Sequence, residues 1–225
     1  MRAAIFGASG GLAKALAHAL LEHAWQVDLV TRKANLAKIQ DEFNGDGMAV
    51  HVVERAYAEF TSSHDFDAYF FPQALFAPKP LIEMSDAEIA REIEVGFLDV
   101  IQAARKLLAA HPAKQDARRD YCFVGSTSAY AGFKNTSVYC AVKHGLLGFV
   151  RAMNDEYAQT GTRFWLFSMG TMDTSMGRKL VEQDPSSFLN PKEVAERMVD
   201  AIASRSNLFE PEVILRRRTI RFREK

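Results

Sequence analysis

Short apolar runs alternate along this chain with longer segments whose apolar residues recur every three or four positions, and this alternation constrains the fold more than any other feature. Residues 3–6, 27–31, 48–53, 66–71, 120–124, 163–167 and 212–215 read as strands, and residues 12–23, 34–43, 86–110, 137–160 and 191–204 as amphipathic helices. Most of the strand runs lack strict polar alternation, the pattern expected when helices cover both faces of a parallel sheet. Right-handed crossovers stack such units into a doubly wound sheet. Helix starts are marked locally: Ser85 with Glu88 forms a capping box, and Asn190 precedes a first-turn Pro191. The expected fold class is α/β: one domain over residues 1–225, a doubly wound parallel sheet of about seven strands with helices on both faces, and a short basic tail from 216 to 225.

Composition narrows the partners. Lys+Arg and Asp+Glu both total 28, so no global field draws the chain to nucleic acid or anionic lipid, and neither is expected as a partner. Arg216, Arg217, Arg218 and Arg221 form a charge cluster short enough for a solvated end or a subunit contact. The apolar run from Ala3 to Phe6 is too short for a signal-peptide core or a membrane span, which leaves a cytoplasmic address as the expectation. Cys122 and Cys140 read as reduced thiols, and neither the cysteines nor the six histidines have metal-ligand spacing, so no metal site is expected.

Gly7-Ala8-Ser9-Gly10-Gly11-Leu12-Ala13 lies between the first strand and the first helix. Helix N-terminal amides there point at any anion in the crevice, and glycine lets a phosphate approach without a Cβ in the way. Gly7, Ser9, Gly10, Gly11 and Leu12 are therefore candidates for holding a nucleotide pyrophosphate, in what would be a Rossmann-type domain. At the end of the second strand stand Arg32 and Lys33, where an NAD site usually places an acid. The only acid, Asp28, lies inside the strand. An arginine fork suits a 2′-phosphate, so NADP(H) is expected in preference to NAD(H); the alternative for Arg32 is a solvated strand-end charge.

Ser126 follows the fifth strand, on the side of an open α/β sheet where ligands gather. Tyr139 and Lys143, at i and i+4 of the next helix, share one face. A phenol titrates near ~10 in water, and an adjacent cation favours the phenolate, which would make Tyr139 a usable acid/base. Singly, a helical Tyr/Lys pair reads as a rim contact and a post-strand Ser as a cap. Together with the glycine loop, and with Ser126 standing 13 residues before Tyr139, they make the chain resemble the short-chain dehydrogenase/reductase family over nearly its whole length.

The resemblance implies roles. Gly7, Gly11 and Ala13 match the nucleotide loop, Tyr139 the general acid/base, Lys143 the holder of the nicotinamide ribose, and Ser126 the hydrogen-bond donor to a substrate oxygen. Ser168 to Thr174 match the segment flanking the nicotinamide, with Met169 where proline is usual and Gly170 and Thr174 as cofactor contacts. The implied activity is an NADP(H)-dependent interconversion of a small-molecule carbonyl and alcohol, leaning toward reduction, in a homodimer or homotetramer.

Three departures stand out. Phe70-Phe71-Pro72-Gln73-Ala74-Leu75 replaces the family's Asn-Ala-Gly run, Arg91 to Gly96 lacks the asparagine of the proton relay, and the lid of residues 175–189 is brief. Met176, Leu180, Val181 and Phe188 of that lid either face substrate or pack on the sheet. The departures keep a second reading open, a cofactor-binding protein with regulatory or vestigial activity.

Overall fold

The computed structural model describes residues 1–43, 47–54, 56–62, 64–113, 115, 117–204 and 209–223. Among them, β1 (Arg2–Phe6), β2 (Gln26–Arg32), β3 (Ala49–Val53), β4 (Ala68–Phe71), β5 (Arg119–Val124), β6 (Thr162–Met169) and β7 (Glu212–Leu215) form one sheet in the order β3-β2-β1-β4-β5-β6-β7. Every neighbouring pair is parallel. Chain order reverses direction between β1 and β4, so a crevice opens above their carboxyl ends, where doubly wound sheets bind ligands.

The helices are α1 (Gly11–Glu22), α2 (Leu36–Glu42), α3 (Asp86–Ile93), α4 (Asp99–Ala110), α5 (Ser137–Glu156) and α6 (Pro191–Ala203). Leu16 and Leu20 of α1 and Val199 and Ile202 of α6 pack with Ile5, Leu29 and Phe167 on one face of the sheet. On the other, Val100 and Leu107 of α4 and Leu146 and Val150 of α5 cover Phe6, Tyr69 and Phe123. Burial from both sides explains the missing polar alternation in the central strands. Phe6, Phe71 and Phe123 stack in a row across β1, β4 and β5, with ring centres 4.9 and 5.0 Å apart. Each such fully buried aromatic contributes on the order of 2 kcal/mol through apolar burial.

Local signals set the helix starts. Glu88 donates its N–H to Ser85 Oγ and returns its carboxylate to the Ser85 N–H, closing the expected box at α3. Asn190 Oδ1 accepts the Lys192 N–H at the head of α6, with Pro191 in the first turn. Several element ends shift by one to four residues, and two differences bear on the site. Helix α5 ends at Glu156 rather than 160, and the segment expected as one helix from 86 to 110 is interrupted by a π turn, Glu94–Leu98. At the centre of that turn a Cβ on Gly96 would lie 2.8 Å from Val142 Cγ1, so glycine there lets α5 approach closely. The last two positions of the basic tail, 224 and 225, lie outside the described residues.

The amino end of the sheet is held by charge. Asp120 Oδ1, buried in β5, accepts from Arg163 Nε at 2.7 Å and from Trp165 Nε1 at 2.7 Å, and Arg118 Nε donates to its other oxygen at 3.1 Å. Removing one partner strands the others in a poorly solvated place. Asp120→Ala is expected to lose about 3 kcal/mol of stability in urea unfolding, while the folded fraction keeps its affinity for a dinucleotide at the opposite end of the sheet.

Candidate active site

The glycine loop has the backbone its sequence implies. Gly7 adopts φ +65°, in the left-handed region, and a Cβ on it would meet Gln73 Cβ at 2.9 Å. Gly10 caps α1 with no side-chain bond to its amides, and the first turn carries no acidic residue. Those amides and the positive end of the helix are left for an anion. Gly11 sits against Thr174, whose Cγ2 would lie 2.9 Å from an added Cβ. The fold thus brings Gly7, Ser9, Gly10, Gly11 and Leu12 together with Thr174, in a cradle that fits a pyrophosphate. Gly170 leaves β6 beside Arg217 and donates its N–H to the Leu215 carbonyl.

Arg32, at the carboxyl end of β2, has company that its sequence neighbours did not indicate. It lies 2.5 Å from Asp99 Oδ2 and rests over the Tyr57 ring at 4.9 Å, while its buried Nε has no hydrogen-bond partner. It is therefore not a solvated strand-end charge. Asp99 itself is buried and takes the Tyr57 N–H at 2.8 Å. Lys33 pairs with Glu54 in the open.

Ser126 follows β5 and caps the short turn Thr127–Ala129, its Oγ accepting the Ser128 N–H at 3.1 Å. Tyr139, partly buried in the first turn of α5, has its hydroxyl near enough to the Ser126 side chain for that side chain to favour the phenolate. The Phe76 ring meets the Tyr139 ring edge to face at 4.9 Å. Lys143, one turn further, is 1% exposed; its Nζ donates to the Val124 carbonyl at 2.7 Å and lies 5.5 Å from the centre of the Tyr139 ring. Ser126, Tyr139 and Lys143 therefore converge, as their spacing implies.

The electrostatics differ in one respect from the simple pairing of cation and phenol. Burial pushes the Tyr139 phenol up to about 12, opposed by the Ser126 side chain and reinforced by Glu92 and Cys140. Lys143 lies over the ring face and donates to the Val124 carbonyl, and burial outweighs it in setting the phenol's proton affinity. Burial in turn lowers Lys143 to about 8, with Glu92 acting against the fall.

Several residues of the site went unread in the sequence. Gln73 occupies the altered wall, buried, with both amide atoms lacking partners. Phe76 covers Tyr139, Asp99 holds Arg32, and Glu92 is buried behind the pair. No sequence signal marked Glu92: the carboxylate is 2% exposed and the adjacent Ile93 41%, the reverse of their hydropathies. Among the described residues no cluster of His, Cys, Asp and Glu could hold a metal, and no helix is long and apolar enough to cross a membrane.

A parallel doubly wound sheet, a glycine loop at a helix head and a Ser/Tyr/Lys cluster beside it define a nucleotide-binding oxidoreductase. Residues 74–185 match the family model for short chain dehydrogenases. The chain is 25% identical over 185 residues to a 3-oxoacyl-[acyl-carrier-protein] reductase of Buchnera aphidicola, covering 78% of this chain and 75% of the relative. It is 24% identical over 215 residues to carbonyl reductase family member 4 of Xenopus tropicalis, covering 89% and 90%. The fold superposes on an alcohol dehydrogenase from Thermococcus sibiricus, solved with 5-hydroxy-NADP, with a TM-score of 0.79 at 22% identity and 95% coverage of each chain. The chain belongs to the short-chain dehydrogenase/reductase family.

The close approach of Thr174 makes Gly11 a sensitive position. Gly11→Val is expected to weaken binding of a nicotinamide dinucleotide at least roughly tenfold, or about 1.4 kcal/mol, in fluorescence titrations with the reduced cofactors, with the circular dichroism of the apo protein unchanged.

Proposed function

We propose that this protein is an NADP(H)-dependent oxidoreductase that interconverts a carbonyl and an alcohol, with Tyr139 as general acid/base assisted by Ser126 and Lys143. One observation carries the reading: the Tyr139 hydroxyl lies beside Ser126 at the carboxyl end of β5, with a buried Lys143 against its ring. Gly7, Ser9, Gly10, Gly11 and Leu12 would hold the pyrophosphate, Tyr139 and Lys143 the nicotinamide ribose, and Gly170 and Thr174 the nicotinamide itself. The bound cofactor would supply or accept the hydride. The complex of the Thermococcus sibiricus enzyme with 5-hydroxy-NADP supports the cofactor class, and the Buchnera and Xenopus relatives, both named reductases, support a carbonyl substrate and the reductive direction.

Within this reading Ser126 donates to the substrate oxygen and orients it toward the Tyr139 hydroxyl. Tyr139 then gives its proton to that oxygen as negative charge develops there. The high proton affinity of the phenol means that it enters the cycle protonated, the form needed for reduction. Lys143 holds the opposite charge nearby and keeps the exchange within the site. Arg32 would meet a 2′-phosphate with the donors not committed to Asp99. The protein would act in the cytoplasm as a homodimer or homotetramer, with neither nucleic acid nor membrane as a partner.

A second reading, cofactor binding without efficient turnover, is favoured by the Tyr139 phenol at about 12. A screen of ketones and aldehydes with NADPH separates the two. Tyr139→Phe is expected to lower kcat by roughly two to four orders of magnitude with NADPH binding retained, and equal turnover by the variant would remove the proposed acid. In the reductive direction kcat should be level at neutral pH and fall as pH rises past about 8, where Lys143 loses its proton. Arg32→Gln is expected to raise the Kd for NADPH roughly tenfold and that for NADH less than about twofold; equal losses would make Arg32 a tie to Asp99 alone.

A further inference from the structure

Among the buried ionisable groups that the mechanism above does not use, Glu92 lies on a helix packed against α5. It stands in the last turn of α3, immediately before the π turn, and only 2% of its surface is exposed. The helix is turned so that this carboxylate faces inward and the adjacent Ile93 outward. A carboxylate taken out of water must be hydrogen-bonded, paired with a cation or protonated. Burial raises its proton affinity, opposed by the nearby Ala77 N–H and by Lys179 and Lys143, and Oε1 has no hydrogen-bond partner.

Its surroundings define what it can act on. Helix α3 packs against α5, the helix of Tyr139 and Lys143. Lys179, from the segment after β6, is the other cation facing Glu92; it is exposed, so water screens its charge, and its Nζ donates to the Phe76 carbonyl at 2.8 Å. Lys143 is the ammonium enclosed with it, and its Nζ has only the neutral Val124 carbonyl as a described hydrogen-bond acceptor. From α5 itself Cys140 is the remaining titratable neighbour of Tyr139. The site therefore encloses one phenol, one ammonium and one carboxyl group.

We propose that Glu92 is the buried counter-charge of the Tyr139 and Lys143 pair, a positioning residue that sets the pH at which the pair exchanges protons. The assignment rests on the functional reading given above. Its physical content is a sign. A negative charge beside two groups makes each harder to deprotonate, so its removal shifts both titrations to lower pH. The same carboxylate faces the wall of the cleft at Ala77, next to the Phe76 that lies on the Tyr139 ring. Glutamine keeps an acceptor for the Ala77 N–H and loses the charge, so Glu92→Gln separates the electrostatic role from the structural one.

The test uses two readouts. In the apo protein, Tyr139 is titrated by ultraviolet difference absorbance of the tyrosinate, with Tyr139→Phe as the blank. In the loaded enzyme, the alkaline limb of kcat is followed with a carbonyl substrate found by the screen. Glu92→Gln is expected to move both midpoints down by on the order of one pH unit, with Glu92→Asp between it and the native protein. Unmoved midpoints in Glu92→Gln overturn the proposal; should that variant not fold, unmoved midpoints in Glu92→Asp do so. Absence of turnover in the native protein, with the apo titration still shifted, would sink the functional reading while supporting the charge coupling. Turnover that depends on Tyr139, with neither midpoint moved, would sink the coupling alone.

Discussion

The hydrogen bond from Lys143 Nζ to the Val124 carbonyl, 2.7 Å long and wholly buried, is the tie on which the site depends. It joins the first half of α5 to the carboxyl end of β5. Those two elements carry Tyr139 and Ser126, and their meeting is what turns three residues of unrelated secondary structure into one cluster. A buried ammonium left without an acceptor is strongly unfavourable, so the sequence position of Lys143 dictates the packing of helix on strand as much as it dictates chemistry. The sheet contributes rigidity beneath it through the stacked rings of Phe71 and Phe123.

Around this tie the chain has rebuilt one wall of the crevice. Pro72 and Gln73 follow β4, the Gln73 amide is buried without partners, and Phe76 lies edge-on against Tyr139. Glu92 faces the same wall from α3, near the Ala77 N–H. These residues form a connected patch running from Gly7, through Gln73, to Tyr139. The substitutions at positions 71–74 and the buried carboxylate at 92 belong to one local rearrangement. Apolar contact replaces part of the polar lining on the Phe76 side, and desolvation there raises the proton affinity of the phenol.

At the opposite end of the crevice the charge arrangement is also more enclosed than its strand-end position implies. Arg32 is bounded by Asp99 on one side and Tyr57 below. The carboxylate fixes the direction of the guanidinium, which lowers the entropy lost when a further anion is bound but also offsets part of its charge. Asp99 opens α4, directly after the π turn, and Glu92 lies in the last turn of α3, just before it. One helical irregularity thus separates the residue that holds the cofactor-side arginine from the one behind the phenol.

By itself the sequence determined the α/β class, the parallel sheet, the capped starts of α3 and α6, the glycine loop and the shared face of Tyr139 and Lys143. Each of these is written in local period, in turn chemistry or in i,i+4 spacing, and needs no knowledge of distant contacts. The family resemblance extended that reading to Ser126, Gly170 and Thr174. Tertiary structure alone decided that Asp99 would hold Arg32, that Glu92 would turn inward while Ile93 faced solvent, that Phe76 would cover Tyr139, and that Lys143 would lie on the ring face instead of at the hydroxyl. Those outcomes arise where segments far apart in the chain exclude water from one another, and desolvation, unlike helical period, leaves no mark on a single stretch of sequence.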